Sequence, residues 1–305
     1  DLVHLHCLQD IGAGVITAAK GLNLPVVLSV HDFWWICERQ FMINRAGVYC
    51  AQDPVNIENC RNCVDNWPRA KARSDTLFEM AAQADLITYP SQFARDLALK
   101  SGFKGRADAV LGNGVHGPSA GFDAKVLARR AADPRLVFGY VGGPSPIKGW
   151  PVMRRAFEGL GRDDFAGILV DGSINKSWYK GRPQKAMKGD WRIAPRFAQT
   201  DMDDFYAQID VLLFLSQWKE TFGLTIREAL ARGIKVIQTD SGGTVEYDGA
   251  KPDEMLKIGD GPEVLQKHLN DILDAPERGQ APIKVASYSD QAAEFMRLLT
   301  EKIKK

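Results

Sequence analysis

Two glutamates stand eight residues apart in WKETFGLTIREALARG, residues 218–233, and their setting indicates what such a pair would do. Glu220 falls in the loop leading into a helix-forming run, residues 225–232, and Glu228 falls about one turn inside it. Gly233 follows as a natural stop, while the apolar run 211–216, VLLFLS, precedes as a buried parallel strand. Gly223 would then sit at the helix N-terminus, where unpaired N–H groups and about half a positive charge suit a diphosphate. Carboxylates accept hydrogen bonds from hydroxyls, so one acid can face a sugar ring and the other a ribose diol. The pair alone also fits two incidental acids on a solvated helix.

Other residues of chemical interest lie at similar places. Lys148 stands at a helix start, where a cation opposes the dipole unless an anion lies nearby; an ordinary exposed lysine is the alternative. Gly242 and Gly243 open a second glycine loop after a strand, before Thr244 and Glu246, and a simple turn is its alternative. His6 ends one strand and His31 and Asp32 end the next, at the carboxyl edge of a sheet where clefts form. His4, on the same side of its strand as His6, reads as a structural histidine. Cys37, Cys50, Cys60 and Cys63 fall in a long aperiodic stretch, residues 32–67, that a structural zinc would staple; free thiols or disulfides are the alternatives. Cys7 reads as a small buried residue.

The elements that must hold these residues alternate in βαβ order. Strands are expected at residues 2–5, 26–30, 86–89 and 107–111, with helices at 11–19, 74–84 and from 90 through 99. Residues 112–121 carry four glycines and a proline and read as a hinge. A second series follows, with strands at 136–141, 166–170, 192–194, 211–215 and 235–238 and helices at 150–160, 201–209 and 225–232. The expected class is α/β with two Rossmann-like domains: 1–116, 117–286, and a terminal helix at 287–305 with Ala292, Phe295, Met296, Leu299 and Ile303 along its apolar side. The 305 residues are 45% hydrophobic and 25% charged, as in a globular chain, and a net charge of +1 argues against a dedicated nucleic-acid binder. No run approaches the length of a membrane span, no signal peptide is visible, and the cytoplasm is the default expectation.

Several motifs in order resemble the retaining glycosyltransferases of the GT-B fold, and among them family 4. They are VHLH at 3–6, SVHDFWWIC at 29–37, NGV at 113–115, FGYVGG with KG at 138–149, the Glu220 to Glu228 segment, and SGGTVE at 241–246. The resemblance implies that a nucleotide-diphosphate sugar binds the C-terminal domain and that the acceptor, a glycan or glycolipid of polysaccharide assembly, enters from the N-terminal side. By the same resemblance Glu228 binds the ribose hydroxyls and Glu220 the donor sugar, while Phe222, Gly223, Leu224 and Thr225 line the diphosphate. Lys148 steadies the leaving group, Gly242 and Gly243 close the far side, His6 lies beside the reacting sugar, and His31 and Asp32 line the acceptor side. Gly143 stands where the family commonly has an arginine, so either that cationic contact is absent or another residue, for instance Lys176, Lys180 or Arg182, supplies it; a solvated face is the plainer reading of those loop charges.

Front-face substitution is the implied mechanism, needing neither a protein nucleophile nor a cofactor or catalytic metal. Family members begin with further βα units, so the first domain reads as incomplete and other domains of a longer polypeptide as partners. A donor-binding but silent module is one alternative reading, and an unrelated doubly wound protein such as a nucleotide-sugar epimerase is another. Lys302, Lys304 and Lys305 at the terminal helix end suit its dipole and would also suit an anionic membrane surface.

Overall fold

Short apolar runs buried on both faces make parallel strands, and amphipathic runs between them make the crossover helices. The computed structural model describes residues 1–172 and 180–303. The first half contains β1 (Val3–Leu5), α1 (Gly14–Gly21), β2 (Val26–Ser29), α2 (Trp67–Gln83), β3 (Leu86–Tyr89), α3 (Gln92–Lys100) and β4 (Asp108–Val110). Its sheet is parallel in the order β1-β2-β3-β4, with Val3 opposite Val26, Val27 opposite Leu86 and Ile87 opposite Asp108. Leu28, Val30, Ile87 and Tyr89 pack with Ile16, Leu77 and Leu97 of the three helices. Val27 and Leu86 face the other way, against the end of the chain.

The second half contains α4 (Phe122–Ala132), β5 (Leu136–Val141), α5 (Trp150–Glu158), β6 (Phe165–Asp171), β7 (Asp190–Pro195), α6 (Met202–Tyr206), β8 (Val211–Phe214), α7 (Leu224–Ala231), β9 (Lys235–Gln238), α8 (Pro262–Asp274) and α9 (Tyr288–Lys302). Its sheet is also parallel, in the order β7-β6-β5-β8-β9. The order reverses between β5 and β8, which pair from Phe138 opposite Val211 onward. The loops after these two strands therefore lie side by side at the carboxyl edge, the crevice where open α/β sheets bind ligands. Asp210, just before β8, fixes the join: its buried carboxylate accepts from Arg129, Arg130 and the Val137 amide.

Several elements differ from the sequence expectation. Helices α4 and α8 stand where none was expected, and α2 begins at Trp67 rather than at residue 74. The start of α2 is set by Pro68 in the first turn and by the Asn66 side chain, which caps the Arg69 amide; the charged run 69–73 obscures its apolar face. The helix expected at 201–209 is only α6, with a 3-10 turn before it. On α9 the buried residue is Leu298, with Phe295, Leu299 and Ile303 beside it against Val27, Leu86 and Leu111, whereas Met296 is exposed.

Candidate functional site

Lys148 and Glu220 meet at the switch point. Lys148 ends a 3-10 turn, Pro146–Lys148, and Gly149 follows at φ +81° as the N-cap of α5. A Cβ on Gly149 would lie 2.1 Å from the Leu215 carbonyl oxygen, so only glycine lets this loop press against the end of β8. The Tyr140 hydroxyl donates to the Lys148 carbonyl at 2.9 Å, and the Gln217 amide donates to the Ile147 carbonyl at 2.7 Å. Held this way, the Lys148 ammonium reaches Glu220 Oε1 at 2.6 Å, and the Ser216 hydroxyl also donates to that carboxylate. The lysine is no free surface group: it is half-buried, with its ammonium 5.5 Å from the Trp218 ring. Gly143 lies in the same loop at φ +66°.

Helix α7 begins beside this pair. Gly223, its N-cap at φ +81°, offers no side-chain cap, so the first turn presents backbone N–H groups as a helix start does. Glu228 lies half-buried one turn in, and the Tyr206 hydroxyl donates to it at 2.9 Å and to the Thr225 carbonyl at 3.1 Å. Burial pushes the Glu228 carboxyl above its ordinary range, while the hydrogen bond from Tyr206 and the charge of Arg232 work against that rise. The glycine loop runs along Glu220: the Glu220 amide donates to the Ser241 carbonyl at 3.1 Å, and the Gly243 amide to the Glu220 carbonyl at 2.9 Å. Cβ atoms on Gly242 and Gly243 would meet Phe93 at 2.6 Å and the Thr221 carbonyl at 2.1 Å. These glycines are accounted for by the approach of chain to chain.

The first sheet contributes a histidine cluster. His6 Nδ1 lies 2.8 Å from His31 Nε2, and the two exposed rings stack. His4 bonds Ser29 Oγ at 2.8 Å, which bonds Thr88 Oγ1 at 2.8 Å, and its ring stacks on Phe295 of α9. Burial is the main cause that pulls His4 down to about 4, helped by His6 and His31; His31 is also lowered, first by burial and then by His6. Together with Asn113 and Gln291 the three histidines line a cavity of about 190 Å³. Thr221 Oγ1 donates to the His31 carbonyl at 2.6 Å, which ties this cluster to the loop that carries Glu220. Asp32 acts locally, capping the 3-10 turn Phe33–Trp35 through the Trp34 amide and also accepting from Gln40.

The geometry does not support the zinc expectation. Among the described residues no three His, Cys, Asp or Glu side chains gather closely enough to hold a metal ion, Cys37, Cys50, Cys60 and Cys63 included. Cys37 and Cys50 pack against the first core, whereas Cys60 and Cys63 belong to a separate cluster with Val64 and Ala70. All are free of disulfides, and burial pushes the Cys37 thiol up to about 11. The 32–67 stretch is held by apolar packing: Phe33, Trp35, Ile36 and Met42 enter the first core. Cys7 is exposed, not buried. Of the cations that would replace the absent arginine, Lys180 and Arg182 are exposed, and Lys176 lies outside the described residues, as do Lys304 and Lys305.

Sequence reasoning missed Ser216, Tyr206, Thr221 and Arg227, which support the named residues through the folded chain. Nothing in the local sequence of Ser216, Tyr206 or Thr221 distinguishes them from core or helix residues. Arg227 alone carried a signal, a charge beside Glu228 in a run that is otherwise apolar on that face.

Comparison with known proteins agrees with this architecture. The family described as "Glycosyl transferases group 1" matches residues 127–287, and "Glycosyltransferase Family 4" matches residues 1–117. Spore coat protein SA of Bacillus subtilis (strain 168) is 21% identical over 284 residues, 88% of this chain and 67% of that protein. Anabaena HepE, solved in complex with UDP and glucose, superposes with a TM-score of 0.70 at 17% identity, covering 99% of this chain and 78% of its own. Sucrose-phosphate synthase from Thermosynechococcus elongatus gives a TM-score of 0.66 at 17% identity, over 98% and 73%. No described helix is long and apolar enough to cross a membrane. With two parallel Rossmann-like sheets, and a match spanning more than half its length, the chain belongs to the group 1 glycosyl transferases of GT-B fold.

Proposed function

We propose that this chain moves a sugar from a nucleoside diphosphate sugar to a hydroxyl of a glycan or glycolipid, with retention of configuration, working in the cytoplasm. The observation that carries the reading is the meeting of Lys148 and Glu220 beside the uncapped start of α7, with Glu228 set behind it. Solved complexes of HepE with UDP and with UDP-glucose support the donor class.

In this reading the ribose hydroxyls donate to Glu228, which Tyr206 holds in place, and the diphosphate lies across the first N–H groups of α7. Glu220 accepts from the donor sugar's hydroxyls. As the bond between the anomeric carbon and the diphosphate oxygen breaks, negative charge grows on that oxygen, and Lys148 and the helix N-terminus stabilise it. The acceptor hydroxyl attacks from the face the diphosphate leaves, and its proton passes to the departing phosphate oxygen. His6, oriented by His31, stands on the acceptor side. Retention follows because bond making and bond breaking share one face.

Calorimetric titration with a panel of sugar nucleotides tests the donor half, and one of them is expected to bind below roughly millimolar concentration. Failure of every one to bind would refute the reading. Release of nucleoside diphosphate with a matched acceptor, and the anomeric configuration of the product by NMR, test the rest. Binding without turnover under any acceptor would favour a silent donor-binding module, a reading that Gly143 in place of a cation also favours.

A further inference from the structure

Arg227 is 4% exposed and its charge points inward, which is costly unless its donors are satisfied. They are satisfied by backbone carbonyls: Nη1 donates to Phe222 at 2.5 Å and Thr244 at 2.8 Å, and Nη2 to Gly243 at 2.8 Å and Glu246 at 2.9 Å. The guanidinium also lies 4.4 Å from the Phe222 ring centroid. Phe222 immediately precedes the N-cap Gly223, and the other three carbonyls belong to the glycine loop that runs beside Glu220. One planar fork therefore spans two loops that no covalent connection keeps in register.

We infer that Arg227 is a positioning residue for the donor: it joins the turn before α7 to the 243–246 loop, so that the N–H groups receiving the diphosphate form a fixed rim. The inference rests on the donor reading above. It assigns Arg227 no contact with substrate. A rim of preset backbone donors matters most for the group with most phosphate oxygens, so loosening it should affect a nucleoside diphosphate more than the matching monophosphate. A lysine in this place keeps the charge but cannot reach four carbonyls in one plane.

The test compares UDP with UMP, and GDP with GMP, by calorimetry on the whole chain and on Arg227→Met and Arg227→Lys. Arg227→Met is expected to lose about tenfold in diphosphate affinity while the monophosphate stays within about twofold, and Arg227→Lys to lie between. An unchanged ratio of diphosphate to monophosphate affinity, or equal losses for both with a lowered melting temperature, would overturn the inference. If Arg227→Met does not fold, Arg227→Lys decides alone, and a wild-type ratio there overturns it. Absence of nucleotide binding by the wild type would instead remove the donor reading and this inference with it.

Discussion

Glu228 shows how one side chain carries opposed demands. Its folded carboxyl titrates above the ordinary value of 4.5 because burial penalises the charged form. A raised carboxyl value means that the folded state holds the proton more readily than the unfolded chain. Any stability linked to it is present below 4.5 and is lost as pH rises through the folded value. Glu228→Gln should therefore melt no lower than the wild type at pH 7, with the difference shrinking below pH 4.5, while nucleotide affinity falls about tenfold; melting curves and calorimetry check both halves. A large loss of stability at neutral pH would contradict this expectation. Lys148→Met should lower turnover by about 10²–10³, with a smaller change in donor KM, because its charge is needed where negative charge develops. Steady-state kinetics decide it, and an effect confined to KM would show a binding role only. The residue types stood out in the sequence because acids, a lysine and glycines recur at strand ends and helix starts, although each also had a plainer reading; the partners that orient them, Ser216 and Tyr206, are set in place by the fold.

Among the elements, the loop carrying Lys148 depends on one glycine. Gly149→Ala would put a methyl at φ +81° against the Leu215 carbonyl, and a loss of about 2 kcal/mol or more is expected in denaturant unfolding. A stability unchanged by the substitution would show that the loop can yield. The cluster on β1 and β2 gives a second expectation. His4 is lowered to about 4 from 6.5, so the folded state binds fewer protons than the unfolded chain between those values, and stability falls as pH is lowered through that window. His4→Gln should flatten the fall in melting temperature between pH 6.5 and 4, and an equally steep fall would place the acid sensitivity elsewhere. Strand positions were legible because buried parallel strands are continuous apolar runs: β5 and β9 lie at 136–141 and 235–238 as expected. Helices α4 and α8 were not, since α4 buries only Phe122 and α8 follows the irregular stretch 239–261.

The two lobes are joined by contacts that also touch the site. Trp218, three residues from Thr221, is buried in the first lobe's core against Phe33 and Phe41. Glu246, from the glycine loop, accepts from the Gln92 and Phe93 amides and so closes the N-terminus of α3 across the interface. Helix α9 returns to the first sheet and covers Val27, Leu86 and Leu111. Glu246→Ala should leave each lobe folded but let them open: small-angle scattering should show a larger radius of gyration, and stability should drop by about 1 kcal/mol. An unchanged scattering profile would mean that Trp218 and α9 hold the lobes without it.

The α/β class and the alternation of strands and helices were already legible in the chain read alone, because periodicity is a local property; glycine placement and charge at strand ends only singled out candidate residues. Folding settled which of those residues meet. Lys148 and Glu220 are 72 positions apart and touch because β5 and β8 are neighbours, an order fixed by which strands bury one another. Nor does the folded chain support the metal site: cysteine spacing does not fix whether the thiols converge, and among the described residues no three candidate ligands gather. Arg227 gained a role only in the folded chain, where the carbonyls it joins lie close together. Hydrogen bonds of this kind act over about 3 Å, and only the packed fold brings distant segments within that reach.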